Sequence, residues 1–581
     1  MVSWFDCYKI NNGAMKQFNQ HRLFLIILIA IIIILGRHLN PFDGQMFTFH
    51  DESQVARVQQ YTLNLIHFQI PPRIAPDFSF HLGFPVFNFY APTAYLITGI
   101  IHLIGIPVIA SLKLSFLLAL IIAVTSVYLF LSCYFDKNVS VLGAALYVTC
   151  FYLPVDIFVR GNLAEVWFIA LFPLAFYAIT KSSEKNTPPY FLFITVLICH
   201  LLLTSHNILS LLSIPVIVIY SLLLPEKKRI FTILLVGLVS AAYFFLPLIA
   251  ESSLTYATYV ATLTKFKDHF LCVNQLWQSP WGYGGSAPGC SADGMSFKLG
   301  KPQVLMSILG LCLYFWVLAK HNKKREEKII LSITGGFIIL TGISLWMTTY
   351  QSAAVWYIFP FLSVVQFPWR FISLSMIGIA FLGAFGWSIL KLPYKMLFTA
   401  ALCFVLIAAV SPYFYKEQLS SKEYMARYAY DTYTADHVAY TVAEYLPKTA
   451  DYNLWRYYEV RPFPYDTTLP AQSLNGIGFS VLTNTPFNKS IKAILSGPVA
   501  LNIHYFPAWS ITLNNNPYFP IQLDKMGRPV LNLTQGDEVR FSVTQSNTEL
   551  VGDFITIGAI LIAIYIFLFP DLWKKKRSLK T

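Results

Sequence analysis

Twelve long apolar runs separated by polar connectors decide what this chain can fold into. They lie at 23–36, 110–133, 139–157, 165–181, 188–205, 208–224, 230–250, 303–320, 328–348, 371–390, 395–411 and 553–570. A helix rises about 1.5 Å per residue, so some 20 apolar residues cross the ~30 Å hydrocarbon core of a bilayer. Inside that core each backbone N–H and C=O must find its partner within the segment, and helices do this. Hydrophobic residues make up 56% of the 581, and charged residues only 12%, about half the usual share of globular proteins. The expected fold class is therefore an α-helical polytopic membrane protein of about 12 spans. An ordinary soluble domain is excluded.

Charge orients the bundle. Lys and Arg number 42 against 29 acids, a net +13. They gather in the connectors: Lys9, Lys16 and Arg22; Lys137; Lys181 and Lys185; Lys227, Lys228 and Arg229; Lys320 to Lys328; Lys391 and Lys395; Lys574 to Arg577. Basic connectors stay in the cytoplasm, which accounts for the charge without nucleic acid and puts both termini inside. The alternation closes only if residues 85–107, broken by Pro92, Gly99, His102 and Gly105, make no net crossing. That segment is expected to be a re-entrant or interfacial helix, irregular where it is buried in protein or lines a cavity. The first run lacks a small-residue cleavage site after it and reads as a retained signal anchor.

The organisation expected is a multi-span domain at 1–411 with a first outer loop at 37–108. An outer β-rich domain at 412–552 and a final helix with a basic tail at 553–581 follow. The 412–552 stretch is too long and polar for a connector. Its second half alternates apolar and polar residues in VALNIHYFP, WSITLN, FPIQLD, PVLNL and VRFSV, the pattern of a small antiparallel β-sandwich. Its first half, Lys416 to Leu446, is rich in Tyr and charge and reads as helical, so the outer domain is α+β. Of eight cysteines, only Cys272 and Cys290 share a polar outer loop, which suits a disulfide if that compartment oxidises thiols. No CxxC metal pair is present.

Candidate chemistry collects on the outer edge. His50, Asp51 and Glu52 begin fourteen residues beyond Gly36, at the water edge, where a carboxylate escapes the ~2.5–3.5 kcal/mol penalty of burial in hydrocarbon. Arg57 and Arg73 follow. The next outer edges present Asp156, Arg160, Asn162 and Glu165, then Ser205, His206 and Asn207, and later Trp369 and Arg370. Each also has a plain explanation. Asp51 with Arg57 makes a structural ion pair, Arg160 and Glu165 cap helices and pair with each other, His206 is an interface histidine, and Trp369 with Arg370 anchors the interface. A divalent cation (Mg2+ or Mn2+) on Asp51, Glu52 and Glu165 would suit hard oxygen ligands; no cofactor is otherwise indicated.

The motifs HDESQVAR, IPPRIAP, GFPVFNFYAP, VRGNLAE, SHN and FPWRF resemble the bacterial membrane proteins called "6-pyruvoyl-tetrahydropterin synthase related", although no soluble pterin-enzyme pattern is visible. The layout resembles the GT-C superfamily of integral membrane glycosyltransferases, and IHYFPAWSITLNNNPYFPIQL is similar to the outer β-domain of the YfhO-like group. The resemblance spans roughly residues 20–545. Ile74 stands where Trp is expected after PPR, and Ala508 where Gly is usual before Trp509.

What the resemblance implies is transfer of a sugar from a polyprenyl-phosphate donor to an envelope glycan, lipid or protein on the outer face of a bacterial inner membrane. Asp51 would be the general base, aided by Glu52, with inversion at the anomeric carbon. His50, Arg57, Arg73, Asn88, Tyr90, Arg160, Glu165, His206, Trp369 and Arg370 would hold substrate, with Arg73, Arg160 and Arg370 gripping phosphate. Two rivals fit less well. A transporter or flippase places polar groups near the midplane and has two similar halves, which are not seen here. A non-catalytic assembly factor would tolerate loss of Asp51 and Glu52.

Overall fold

The computed structural model describes residues 14–43, 50–51, 53–257, 259–260, 265–320, 325–415, 443–459, 461–476 and 478–568. The molecule is mostly helical, with a small β domain near its C-terminal end. Among the described residues seven helices are long and apolar enough to cross a membrane: Val108–Leu131, Leu163–Ser182, Lys301–Ala319, Glu327–Met347, Pro368–Ile389, Lys395–Tyr413 and Asn547–Leu568. Two more runs are bent pairs, Lys137–Val148 with Tyr152–Arg160 at 46° and Lys227–Ser240 with Ala242–Leu254 at 55°. The run at 23–36 lies in the helix Ala14–Gly36, and the runs at 188–205 and 208–224 appear as shorter apolar helices, Pro189–Leu203 and Asn207–Leu222.

Burial sorts these helices into centre and rim. Leu163–Ser182 and Pro368–Ile389 are 89% buried over their apolar stretch, whereas Lys301–Ala319 is 17% buried. The central pair has protein on all sides and the outer helix turns most of its apolar surface outward, as a lipid-facing helix does. Close approach needs glycine at one crossing: a Cβ on Gly310 would lie 2.1 Å from the Leu382 carbonyl oxygen.

Residues 85–107 contain a four-residue turn of helix, Val86–Phe89, then Thr93–Leu103. The second helix has eleven residues and so rises about 16 Å, roughly half the hydrocarbon thickness. Gly105, at φ +96°, ends it in a conformation that suits glycine.

Eight antiparallel strands build the β domain. A three-stranded sheet has the order β1 (Ala471–Ser473), β4 (Gly497–Leu501), β7 (Val530–Leu533). A five-stranded sheet has the order β2 (Phe479–Asn484), β3 (Asn488–Ala493), β8 (Glu538–Val543), β5 (Trp509–Leu513), β6 (Asn516–Pro517). In β8, Val539, Phe541 and Val543 are buried while Glu538, Arg540 and Ser542 face outward or part-outward, the two-residue period of a half-buried strand. Val499, Leu501 and Leu531 of one sheet and Ile491, Ile511 and Phe541 of the other share one buried apolar cluster.

The structure corrects the strand reading in two places. FPIQLD forms only an isolated bridge, Leu523 to Pro529, because Asp524 turns back onto Arg528 through both backbone and side chain. Strands β1 to β3 lie in a stretch whose mixed polarity gave no clear alternation. Of the segment Lys416 to Leu446, residues 416–442 lie outside the described residues, and Ala443–Tyr445 forms a single tight turn.

Contacts far apart in sequence bind the β domain to the segment around Ser79 and Leu82. The His504 amide donates to the Leu82 carbonyl at 2.9 Å. Ser79 Oγ is 2.7 Å from His504 Nε2 and accepts from Trp455 Nε1 at 2.6 Å. In the loop 251–302, Cys272 and Cys290 are joined in a disulfide with a Cα–Cα distance of 5.6 Å.

Candidate functional site

His50 and Asp51 are placed by backbone pairing rather than by a helix of their own. The His50 amide donates to the Val159 carbonyl at 3.0 Å and the Asp51 amide to the Arg160 carbonyl at 3.1 Å. Those carbonyls belong to a wide helical turn, Val155–Arg160, closed by Gly161 at φ +62°. The left-handed glycine reverses the chain, and Asn162 then caps the next helix by accepting from the Glu165 amide at 3.0 Å. One local irregularity thus fixes the backbone of Asp51 against that of Arg160.

The Asp51 carboxylate is held from one side and open on another. It accepts from Ser53 Oγ, from Gln54 Nε2 at 2.5 Å and from Arg57 Nη1 at 3.3 Å. Its side chain keeps 30% exposure, against 4% for Arg57. Arg57 lies 4.1 Å over the Tyr90 ring and 3.4 Å from the Tyr95 hydroxyl, which donates to Gln54 Oε1 at 2.5 Å. Burial opposes the Arg57 charge, but Asp51 and the surrounding tyrosine oxygens hold it protonated. A carboxylate with donors fixed on one face and space on the other can accept a proton from an incoming hydroxyl.

Arg160 is more constrained than the sequence suggested. It donates to Asp156, to Glu165 Oε2 at 2.6 Å and to the Tyr152 hydroxyl at 3.1 Å, and it lies 4.5 Å over Trp369. Glu165 also accepts from Tyr152 at 2.7 Å and Ser373 at 2.6 Å. Two buried carboxylates therefore already neutralise this one guanidinium, and Glu165 has no oxygen to spare for a cation. Arg370 differs. It donates to the Val365 carbonyl at 2.9 Å and to Gln366 Oε1 at 3.3 Å, and its buried Nε has no hydrogen-bond partner. Among the described residues Arg370 forms no ion pair.

His206 Nδ1 accepts from the amides of Ile208 and Leu209, both at 3.2 Å, so the ring proton sits on Nε2. Burial pushes this imidazole down to about 3, with Glu165 opposing and Arg370 and Arg160 adding to the effect. It is a neutral donor beside both arginines.

Arg73 and Asn88 join a different group. Arg73 Nη2 pairs with Asp553 at 2.8 Å and Nη1 donates to the Tyr243 carbonyl at 2.8 Å. Asn88 Nδ2 donates to Glu251 at 3.0 Å and to Glu549 at 2.5 Å. Glu52 lies outside the described residues. Among those described, no group of three His, Cys, Asp or Glu is arranged to hold a metal ion.

Sequence reasoning missed Gln54, Tyr95, Glu444 and Tyr445. Tyr445 stacks on Phe89 at 5.8 Å and meets Tyr90 edge-on at 6.3 Å. Burial raises the neighbouring Glu444 carboxyl, Arg57 pulls it back, and Asp51 pushes it up again. Only an acidic residue beside a tyrosine, after a polar stretch, marked this pair in sequence.

Residues 87–416 match the family model of the 6-pyruvoyl-tetrahydropterin synthase related domain, a membrane protein. No curated protein matches in sequence. Among solved structures the chain is similar to arabinofuranosyltransferase AftD from Mycobacteria, at 12% identity and TM-score 0.43 over 67% of this chain and 26% of that one. It is similar to the Archaeoglobus fulgidus oligosaccharyltransferase tethered with an acceptor peptide, at 14% identity and TM-score 0.44 over 80% and 61%. A third is ArnT from Cupriavidus metallidurans bound to undecaprenyl phosphate, at 10% identity and TM-score 0.40 over 75% and 79%. The chain thus spans about a quarter of the first and under two thirds of the second. With the matched region covering more than half of its length, this chain belongs to the 6-pyruvoyl-tetrahydropterin synthase related family of membrane proteins.

Proposed function

We propose that the chain is a membrane glycosyltransferase that moves a sugar from a polyprenyl-phosphate donor to an envelope acceptor on the outer face of a bacterial inner membrane. The observation that carries this reading is a part-open carboxylate, Asp51, and a buried arginine, Arg370, that forms no ion pair with a described residue, in one cluster with Arg57, Tyr90 and His206. One group can take a proton and the other can receive an anion.

An acceptor hydroxyl attacks the anomeric carbon while Asp51 takes its proton. The bond from that carbon to the phosphate oxygen breaks, and the lipid phosphate leaves as an anion without needing a proton. A single displacement inverts the anomeric centre. Arg370 and the Nε2–H of His206 meet the developing phosphate charge, where fixed donors in a water-poor site contribute several kcal/mol. Arg57, held over Tyr90, hydrogen-bonds Asp51 and aims it. Arg160, neutralised by Asp156 and Glu165, shapes the wall. Arg73 is left out of this scheme because its guanidinium is taken by Asp553 and a carbonyl.

The test is mass spectrometry of envelope glycans from cells with the natural chain, without it, and with Asp51→Asn. A sugar missing in both altered strains is expected. Full glycosylation in the Asp51→Asn strain rejects Asp51 as the base, and unchanged glycans without the chain reject the function.

A further inference from the structure

A hollow of about 890 Å3 opens where the loop 274–281 meets the start of the helix Lys301–Ala319 and the end of Lys395–Val410. Its walls are aromatic and basic. The Lys298 ammonium lies 4.2 Å from the Phe151 ring centre and 4.3 Å from that of Tyr413. Lys301 lies 5.7 Å from Trp277, and Trp281 meets Tyr413 edge-on at 5.0 Å. Among the described residues no Asp or Glu lines the hollow, and neither lysine makes an ion pair.

Tryptophan and lysine at a membrane edge often serve only as interfacial anchors. Here they converge on a concavity together with the side-chain amides of Asn274 and Gln278. The loop carrying them is also braced. Besides the disulfide, Gln275 donates to Asp293 at 2.6 Å, and Asp293 accepts the Ala287 amide at 2.8 Å. Gly284 and Gly294 approach so closely that a Cβ on Gly294 would lie 2.6 Å from the Gly284 Cα. An anchor needs no such bracing, whereas a binding surface gains affinity from it.

We propose that this hollow binds an acidic saccharide, the acceptor glycan of the reaction assigned to Asp51, and so rests on that reading. Aromatic faces match the apolar C–H face of a pyranose ring, amides match its hydroxyls, and two ammoniums without acidic partners match a carboxylate or phosphate. The volume falls within the range of sites that enclose a small ligand. The same loop reaches the catalytic end: the Tyr283 carbonyl is 2.9 Å from His50 Nε2, and the Tyr283 hydroxyl donates to the Tyr415 carbonyl at 2.8 Å. A glycan seated against Trp281 therefore lies next to the loop that flanks Asp51.

Titration of the full-length purified chain with trigalacturonate, with maltotriose as the neutral control, tests this by calorimetry. Trigalacturonate should bind about tenfold more tightly or better, and Lys298→Gln with Lys301→Gln should erase the difference. Equal binding of both trisaccharides, no binding of either, or an unaltered affinity in the double variant overturns the proposal. A response confined to phosphatidylglycerol bilayers also overturns it and makes the hollow a lipid headgroup site. Because binding is read without turnover, an inactive Asp51→Asn chain that still takes trigalacturonate speaks only to the catalytic reading.

Discussion

Two polar clusters lie along the same edge of the helical bundle, and they are built on opposite principles. Around Arg73 each carboxylate has a donor: Asp553 faces the guanidinium, Asn88 bridges Glu251 and Glu549, and Ser546 bonds both glutamates, from its Oγ to Glu251 at 2.5 Å and its amide to Glu549 at 2.8 Å. Around Asp51 pairing is left incomplete: the Asp51 carboxylate is part open, and Arg370 forms no ion pair with a described residue, whereas Arg73 has Asp553. Matched buried groups hold elements in place. A buried guanidinium without an opposing carboxylate costs free energy, and an anionic ligand can complete it. The first cluster ties the helix Asn547–Leu568 to Arg73 and Asn88, and the second is the one proposed to meet substrate.

Substitutions should separate the two. Asp51→Asn should lower transfer by roughly 10²–10⁴-fold, the usual contribution of a general base, with the thermal midpoint little changed. A collapse of the midpoint along with turnover would erase the contrast. Arg73→Ala should behave in reverse, costing about 3 kcal/mol of stability, near the low end for breaking a buried pair because Asp553 keeps 17% exposure. Its donor KM should stay near the natural value; a large KM change with intact stability would move Arg73 into the site.

Arg370→Ala comes next, weakening donor binding by about 10–100-fold through loss of charged hydrogen bonds. Arg160→Ala should cost more in stability than in donor affinity, because Asp156 and Glu165 would be left as buried unpaired carboxylates. Equal donor effects in the two variants would show that Arg160 grips phosphate too.

The smallest effect concerns a third buried charge, Lys489, on β3. Burial pushes it down to about 8, with Asp77 opposing. In the unfolded chain it titrates near its ordinary value of about 10.4. Between those values the unfolded state holds more protons, so this group adds stability as pH rises from about 8 towards 10. Lys489→Met should raise the midpoint at neutral pH and flatten that rise; an unchanged slope would mean the charge is solvated.

The residues of the candidate site could be read from the sequence as positions on one edge, but their partnerships could not. Asp51 follows the first apolar run, and Arg57 sits on the next helix, so their proximity is local. The division of the arginines is not. Arg73 and Asp553 are 480 residues apart, and Glu165 and Ser373 are 208 apart. Glu444 and Tyr445 were missed because nothing local marks a turn that will stack on Phe89. FPIQLD read as a strand from its alternation, but the Asp524–Arg528 ion pair at 2.7 Å folds it into a turn.

By itself the sequence determined the helical membrane class and the presence of a small β domain. Apolar runs of that length have few alternatives in hydrocarbon, and two-residue alternation has few outside it. Tertiary structure alone decided which charges are satisfied and which stand open. A guanidinium takes its role from whichever carboxylate reaches it first, and that depends on packing between elements the chain separates by hundreds of residues.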